Sequence, residues 1–164
     1  MNGKVYELGL KAVALLKENS MTVATAESCT GGLVSSYITA VPGTSSVFEL
    51  GITSYSCQIK NKILGVDGKT LESVGAVSPE TARQMAENVR KMADSSIGIS
   101  VTGVAGPDGS EGHAPGLVYI AAAYDGGVLA EELNIEPLSR SYVRETAVYE
   151  IFKLLIKIIE EVKI

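Results

Sequence analysis

The chain has 164 residues, of which 46% are hydrophobic and 20% charged, so an intrinsically disordered chain is excluded and one domain is expected. Lysine and arginine number 14 against 19 aspartates and glutamates, a net charge of −5. This balance argues against a broad nucleic-acid surface and against an anionic membrane as partner, because both require a basic face. No apolar run reaches the ~18 residues of a membrane-spanning helix, and no signal-peptide pattern is present. A cytoplasmic location is therefore expected.

Apolar positions at helical spacing predict five helices, and β-branched or alternating runs predict five strands. In chain order these are a helix at 4–18, strand 21–28, helix 33–38, strand 48–55, a short helix 60–64, a helix from 79 to 93, strands 97–104 and 117–124, an edge strand 128–135 and a helix at 139–163. Ser78 and Pro79 provide the cap and first position of the fourth helix. Its predicted buried face comprises Ala82, Met85, Ala86, Val89, Met92 and Ala93.

Strands that alternate with helices imply a three-layer α/β/α sandwich around a mostly parallel mixed sheet of about five strands, in one domain over residues 1–164. The runs 97–104 and 117–124 are almost entirely apolar, as in central strands covered on both faces. Their connection is too short for a helical crossover. These two strands are therefore either antiparallel neighbours or not adjacent.

Two segments combine glycines with hydroxyl side chains where a predicted strand ends, the position at which open α/β sheets bind ligands. Ala26–Gly32 leads into a helix, and Thr102–Gly109 follows the third strand. Glycines allow close approach of the backbone to a ligand, and N–H groups at a helix start attract anions or a developing oxyanion. Ser28 and Thr30 present hydroxyls there, although either could equally serve only as a helix cap.

Several familiar motifs are absent. Val104 occupies the lysine position of a phosphate loop, and Gly31 occupies the lysine position of a Ser-x-x-Lys motif that would begin at Ser28. A Ser-His-Asp triad would require His113, the single histidine, which follows a glycine-rich stretch. One histidine excludes a multi-histidine zinc site within the chain. Cys29 and Cys57 allow at most one disulfide, and a reduced state is expected.

Four segments occur in a characteristic order. They are Ala26–Gly32, Gly51–Ser56 with Lys60 after it, Gly75–Ser78 and Thr102–Pro107. From about residue 5 to the last helix the sequence resembles the stand-alone form of the CinA C-terminal domain, the PncC-type nicotinamide mononucleotide deamidase family. The resemblance implies hydrolysis of the carboxamide of nicotinamide mononucleotide to nicotinic acid mononucleotide and ammonia, with no metal and no cofactor.

By this resemblance Ser28 is the nucleophile, Lys60 the general base and Tyr55 an assisting group. Tyr55, at the end of a predicted strand, either bridges the Ser28 and Lys60 side chains or only packs. An ordinary lysine is neutral in only about one molecule in 2,500 at pH 7, so Lys60 must be buried or exposed to positive potential. The alternative is a surface lysine. Glu27 either orients Lys60 or satisfies local backbone, and Cys29 is the rival nucleophile.

Backbone N–H groups are the expected ligands of the substrate. Those of Thr30, Gly31 and Gly32 are assigned to the oxyanion, and those of Thr102, Gly103, Ala105 and Gly106 to the phosphate. Arg140 and Arg144 are possible partners of the phosphate, since guanidinium groups suit it.

Two departures from the family pattern bear on specificity. Cys57 stands where asparagine is common, and the 108–116 loop is shorter than usual, with His113 near the place of a lysine. These changes keep two alternatives open. One is a non-catalytic module that binds a nucleotide or another phosphate ligand, linked to competence or DNA-damage physiology. The other is hydrolysis of a different small amide.

The last helix bears more apolar positions than one buried stripe uses, because Leu154 and Ile156 flank the main face. Exposed apolar patches mark interfaces, so a homodimer or higher homo-oligomer is predicted. The alternative is that this second face packs against the N-terminal helix. Apart from a second copy, a small-molecule nucleotide is the expected partner, with no nucleic acid and no membrane.

Overall fold

A computed structural model describes residues 2–162. Its five-stranded sheet has the order β2-β1-β3-β4-β5. The strands are β1 Val23–Glu27, β2 Phe48–Thr53, β3 Ile97–Gly103, β4 Leu117–Tyr124 and β5 Gly127–Asn134. β1 pairs in parallel with β2 and β3, while β4 is antiparallel to both β3 and β5. The predicted mixed sheet is confirmed, and of the two alternatives for the apolar strands β3 and β4 the antiparallel pair is correct.

Helices cover both faces of the sheet, so the predicted three-layer sandwich is confirmed. They are α1 Gly3–Glu18, α2 Leu33–Thr39, α3 Cys57–Lys62, α4 Gly68–Val74, α5 Pro79–Ala93 and α6 Arg140–Val162, with one 3-10 turn at Thr44–Ser46. α1, α2 and α6 pack together on one face, and α5 packs on the other against β3 and β4. No described helix is both long and apolar enough to cross a bilayer.

α4 is an element that sequence periodicity does not predict. It has seven residues, and none of them is buried, so it has no apolar stripe to detect. Its start is fixed locally, because the Asp67 side chain accepts a hydrogen bond from the Lys69 N–H. α3 likewise begins before the predicted residue 60, where Ser56 caps it by accepting from the Ile59 N–H.

Two predictions about buried faces need correction. Met92 is 50% exposed, because at 3.6 residues per turn it lies at the edge of the stripe that Ala82 and Val89 define. Leu154 and Ile156 are buried within the chain, where both belong to the hydrophobic core that α6 forms with α1 and with the sheet. The apolar face expected to mark an interface is therefore covered internally, and the homo-oligomer stays a prediction without this support.

Candidate active site

A tight turn after β1 presents Ser28 at the carboxyl end of the parallel part of the sheet. The Ser28 N–H donates to the Val101 carbonyl at 2.9 Å, which extends the pairing with β3 by one residue. The chain then turns through Gly31 and Gly32, with φ of +58° and +91°, a region that favours glycine. α2 begins directly afterwards. The backbone thus holds the Ser28 hydroxyl where a strand meets a helix start.

Glu27 anchors this turn from within the core. Its carboxylate accepts hydrogen bonds from the N–H groups of Gly32, Val34 and Ser35, at 3.0, 3.0 and 2.9 Å, and from the Ser35 hydroxyl at 2.8 Å. Negative charge is stabilised at a helix N-terminus, which accounts for an acid that is only 1% exposed. Of the two roles considered for Glu27, its contacts match satisfaction of local backbone.

Lys60 reaches Ser28 from α3. The Lys60 Nζ lies 2.8 Å from the Ser28 Oγ and 2.7 Å from the Ser54 carbonyl oxygen, and its side chain has no solvent exposure. Lys62, on the same helix, is exposed. β1 and β2 are adjacent and parallel, so the segments that follow them, which carry Ser28 and Lys60, leave the same edge of the sheet.

Burial changes the protonation of two groups at this edge. It lowers the pKa of Lys60, an effect that outweighs the opposing influence of Cys57, Cys29 and Glu111. Burial also raises the pKa of the Cys29 thiol to about 11, which keeps it protonated at neutral pH. The amine is therefore shifted towards the form that accepts a proton, while the rival nucleophile is shifted away from its reactive form.

A pocket of about 280 Å³ opens over the Ser28 hydroxyl. Both glycine-rich segments contribute to its wall, together with α3, the turn before α5, and α6. Its lining includes Ser28, Cys29, Tyr55, Cys57, Lys60, Ala76, Val77, Thr102, Gly103, Ala105, Gly106, Asp108, Glu111 and Arg140. No group of three or more His, Cys, Asp or Glu side chains within residues 2–162 is arranged to hold a metal ion, and both cysteines are free.

The model of the CinA C-terminal domain family matches residues 6–159. The chain belongs to this family. A relative from Acetivibrio thermocellus, provisionally named competence-damage inducible protein, is 47% identical over 158 residues, which are 96% of this chain. One of the same name from Thermoanaerobacter sp. is 50% identical over 137 residues, or 83% of the chain. The chain spans 38% and 33% of these two relatives' lengths.

Solved structures of the CinA family share the fold over almost the entire chain. The competence/damage inducible protein CihA from Agrobacterium tumefaciens superimposes with a TM-score of 0.91 at 34% identity, covering 96% of each chain. A CinA superfamily protein from Klebsiella pneumoniae gives 0.93 at 26% identity, covering 98% of this chain and 99% of its own.

Within this CinA-type site, two of the predicted oxyanion donors are already in use. The Gly31 N–H donates to the Ser28 carbonyl at 3.0 Å, and the Gly32 N–H donates to Glu27. None of Thr30, Gly31 and Gly32 lines the pocket, so the prediction that these three residues bind substrate is not supported by the geometry. The N–H groups of Cys29 and Thr30 donate to no acceptor among the described residues. Since the N–H after the nucleophile commonly supplies an oxyanion hole, Cys29 N–H takes the place of the glycines as the expected donor.

Tyr55 lies in the link between β2 and α3, and its side chain is 62% exposed. Its hydroxyl accepts a hydrogen bond from Arg140 Nη2 at 2.8 Å, while Arg140 Nη1 donates to the Gly106 carbonyl at 2.6 Å. The expected bridge between Ser28 and Lys60 is therefore not formed by this hydroxyl. β2 ends two residues earlier, which leaves the ring free to turn outwards to α6.

The second glycine-rich segment, Thr102–Gly109, presents two free backbone N–H donors and one hydroxyl that already makes a hydrogen bond within the protein. The N–H groups of Ala105 and Gly106 have no acceptor in the described part of the chain, whereas that of Val104 donates to the Leu117 carbonyl. The Thr102 hydroxyl donates to the Ala76 carbonyl at 2.7 Å, so this side chain ties the end of β3 to the turn before α5. Arg144 lies outside the pocket and donates from Nη2 to the Thr30 carbonyl at 2.7 Å.

Glu111 is a pocket residue that sequence analysis missed. One carboxylate oxygen accepts from the N–H groups of Ala76 and Val77, at 2.8 and 3.3 Å, and the other lies 3.8 Å from the Cys57 Sγ. An acid in a glycine-rich loop carries no sequence signal for the direction of its side chain. His113, from the same loop, does not line the pocket, so a Ser-His-Asp arrangement is not formed there.

Proposed function

We propose that this domain hydrolyses the carboxamide of nicotinamide mononucleotide through an acyl-enzyme on Ser28. The observation that carries the proposal is the 2.8 Å separation of Lys60 Nζ and Ser28 Oγ at a site without solvent contact for the lysine. A buried amine is a suitable general base, because desolvation favours its neutral form. The family resemblance supplies the substrate, and the relatives' names support family membership rather than any particular reaction.

In the proposed reaction, neutral Lys60 takes the proton of the Ser28 hydroxyl as the oxygen attacks the carboxamide carbon. The Cys29 N–H stabilises the oxyanion of the tetrahedral intermediate. Lys60 then gives this proton to the amide nitrogen, and the C–N bond breaks. Ammonia leaves, while the acyl group stays bound to Ser28 as an ester. A water molecule, deprotonated by Lys60, then attacks the ester carbon. The bond from this carbon to Ser28 Oγ breaks as Lys60 returns the proton to that oxygen, which releases nicotinic acid mononucleotide and regenerates the serine and the neutral amine.

The phosphate of the substrate is proposed to bind at the opposite part of the pocket. Arg140 brings a guanidinium to the pocket wall, and the N–H groups of Ala105 and Gly106 are the free backbone donors beside it. A planar guanidinium matches phosphate oxygens. We expect the activity to serve cytoplasmic pyridine-nucleotide salvage.

The direct test measures ammonia release from purified protein and nicotinamide mononucleotide. The variant Ser28→Ala should lose activity by at least about 10³-fold. Ser36→Ala is the matched control, because Ser36 is an exposed serine of α2 outside the pocket. Wild-type turnover that survives Ser28→Ala would remove Ser28 from the reaction.

A second candidate function is binding of a nucleotide or another phosphate ligand without turnover. Two departures from the family pattern favour it, namely Cys57 and the shortened 108–116 loop. Cys57 lies in the pocket wall, as do three residues of the loop. Calorimetric binding of the nucleotide with no product after prolonged incubation would favour this function. Turnover of another amide in a substrate panel, with none of the nucleotide, would instead indicate a different amidase.

A further inference from the structure

Four charged side chains line the pocket, namely Lys60, Asp108, Glu111 and Arg140, and the last two come from opposite sides of the sheet. Glu111 is attached to the turn before α5, the helix on one face, through the N–H groups of Ala76 and Val77. Arg140 belongs to α6 on the other face. Ser28 lines the same pocket. Glu111 therefore makes one wall of this pocket acidic, and Arg140 makes another wall basic.

The Glu111 carboxylate is held in place rather than free to leave the pocket. Its two backbone donors fix one oxygen, and the Cys57 thiol lies beside the other. Gly75 leaves room for it, because a Cβ there would meet the carboxylate at 2.5 Å. Cys57 is one helical turn before Lys60, and residues three apart lie on one helix face. The carboxylate is therefore near the reacting groups. It favours the charged form of Lys60, and so it opposes in part the lowering of that amine's pKa by burial.

We propose that Glu111 is a specificity-determining residue that selects ligands with a positive charge on the ring bearing the amide. The inference rests on the proposed function for its choice of ring. A nicotinamide ring substituted at its nitrogen is a pyridinium cation, whereas its 1,4-dihydro form is neutral and nearly the same size. With the phosphate at Arg140, the ring and its amide lie towards Ser28 and the acidic wall. A carboxylate there attracts the cationic ring and not the neutral one.

The test compares the binding of nicotinamide mononucleotide and of its reduced 1,4-dihydro form by calorimetry. Both ligands are titrated into Ser28→Ala protein, which prevents turnover, with and without Glu111→Gln. Glutamine keeps an amide oxygen that can accept from the Ala76 N–H, so the substitution removes charge while retaining the main loop contact. Glu72→Gln is the matched control, because Glu72 is an exposed acid of α4 outside the pocket.

We expect Glu111→Gln to weaken binding of the cationic ligand by about 5- to 20-fold at low salt and to change binding of the neutral ligand less than about 2-fold. The control should leave both affinities unchanged. If Glu111→Gln weakened the binding of both ligands by the same factor, Glu111 would only hold the loops together, and the inference would be overturned.

These titrations, together with the assay of ammonia release from wild-type protein, separate this inference from the proposed reaction. Suppose that the wild-type protein releases no ammonia, but that binding favours the cationic ligand and Glu111→Gln abolishes this preference. That result would support the inference and contradict the proposed hydrolysis. Hydrolysis with no preference for the cationic ligand would overturn the inference and leave the reaction standing. Absence of binding by either ligand would overturn both.

Discussion

The Lys60 amine lies 2.8 Å from the Ser28 hydroxyl although 32 residues separate them in the chain. The lysine is fully buried, and its amine otherwise donates to the backbone carbonyls of Ser54 and Tyr55, at 2.7 and 3.5 Å, rather than to a carboxylate. A carboxylate in direct contact would hold the amine in its charged form. The pair therefore combines proximity with an environment that favours the neutral base.

This arrangement should cost stability. Because the pKa of Lys60 is lowered in the folded protein, the unfolded chain binds more protons between that value and 10.5, and the free energy of unfolding rises with pH across this range. Lys60→Met should remove the penalty and raise Tm near pH 7 by roughly 3–6 °C, while lowering activity by at least about 10³-fold.

Thermal unfolding of wild type, Lys60→Met and Lys62→Met at several pH values tests this prediction. The gain from Lys60→Met should be greatest at and below neutral pH and should shrink as pH approaches 10.5. Lys62, an exposed neighbour, is the control and should show no such trend. A Lys60→Met protein less stable than wild type at every pH would contradict the prediction.

Cys29 should be chemically inert although it lines the pocket. A thiol with a pKa of about 11 is a thiolate in only about 0.1% of molecules at pH 8. Iodoacetamide at pH 8, followed by mass spectrometry, should label the exposed Cys57 and leave Cys29 unmodified. Cys29→Ala should retain kcat within about 3-fold. Loss of activity comparable to that of Ser28→Ala would instead favour Cys29 as the nucleophile.

The placement of Ser28 at the carboxyl end of a strand follows from sequence reasoning. Its pairing with Lys60 was expected only from the family resemblance, because the sequence does not fix which strands are neighbours. The directions of Tyr55 and Glu111 do not follow from it. Both lie in loops, where no 2.0 or 3.6 residue period indicates which way a side chain points. The use of the Gly32 N–H group was hidden for a related reason, since it depends on where the Glu27 carboxylate folds back. That of the Gly31 N–H depends on the turn that brings it to the Ser28 carbonyl.

Tyr55 should affect substrate binding rather than proton transfer, because its hydroxyl contacts Arg140 and not the reacting pair. We expect Tyr55→Phe to raise KM for the nucleotide by about 3- to 10-fold and to leave kcat within about 2-fold, with an unchanged pH profile. Steady-state kinetics from pH 6 to 10 provide the measurement. Tyr142→Phe, an exposed tyrosine of α6, is the control. A collapse of kcat in Tyr55→Phe would restore the tyrosine as a proton relay.

Glu27 should be important for the stability of the fold. Glu27→Gln places an amide NH₂ among the donors of Gly32, Val34 and Ser35, so the free energy of unfolding should fall by about 2–4 kcal/mol. Urea unfolding gives this value, with Glu49→Gln on the exposed side of β2 as the control. Equal stability of the two variants would show that the turn does not depend on this carboxylate.

Arg144 should stabilise the turn that carries Ser28 and should not bind the phosphate, since its guanidinium donates to the Thr30 carbonyl outside the pocket. Arg144→Met should therefore lower kcat by about 10-fold to the same extent for nicotinamide mononucleotide and for its riboside, which lacks the phosphate. Arg144→Lys should recover part of the loss, because an ammonium can still donate to a carbonyl. A residue that binds the substrate phosphate would behave differently, since its substitution would raise KM for the nucleotide and not for the riboside. Kinetics of both variants with both substrates decide between the two, and a KM effect confined to the nucleotide would assign Arg144 to phosphate binding.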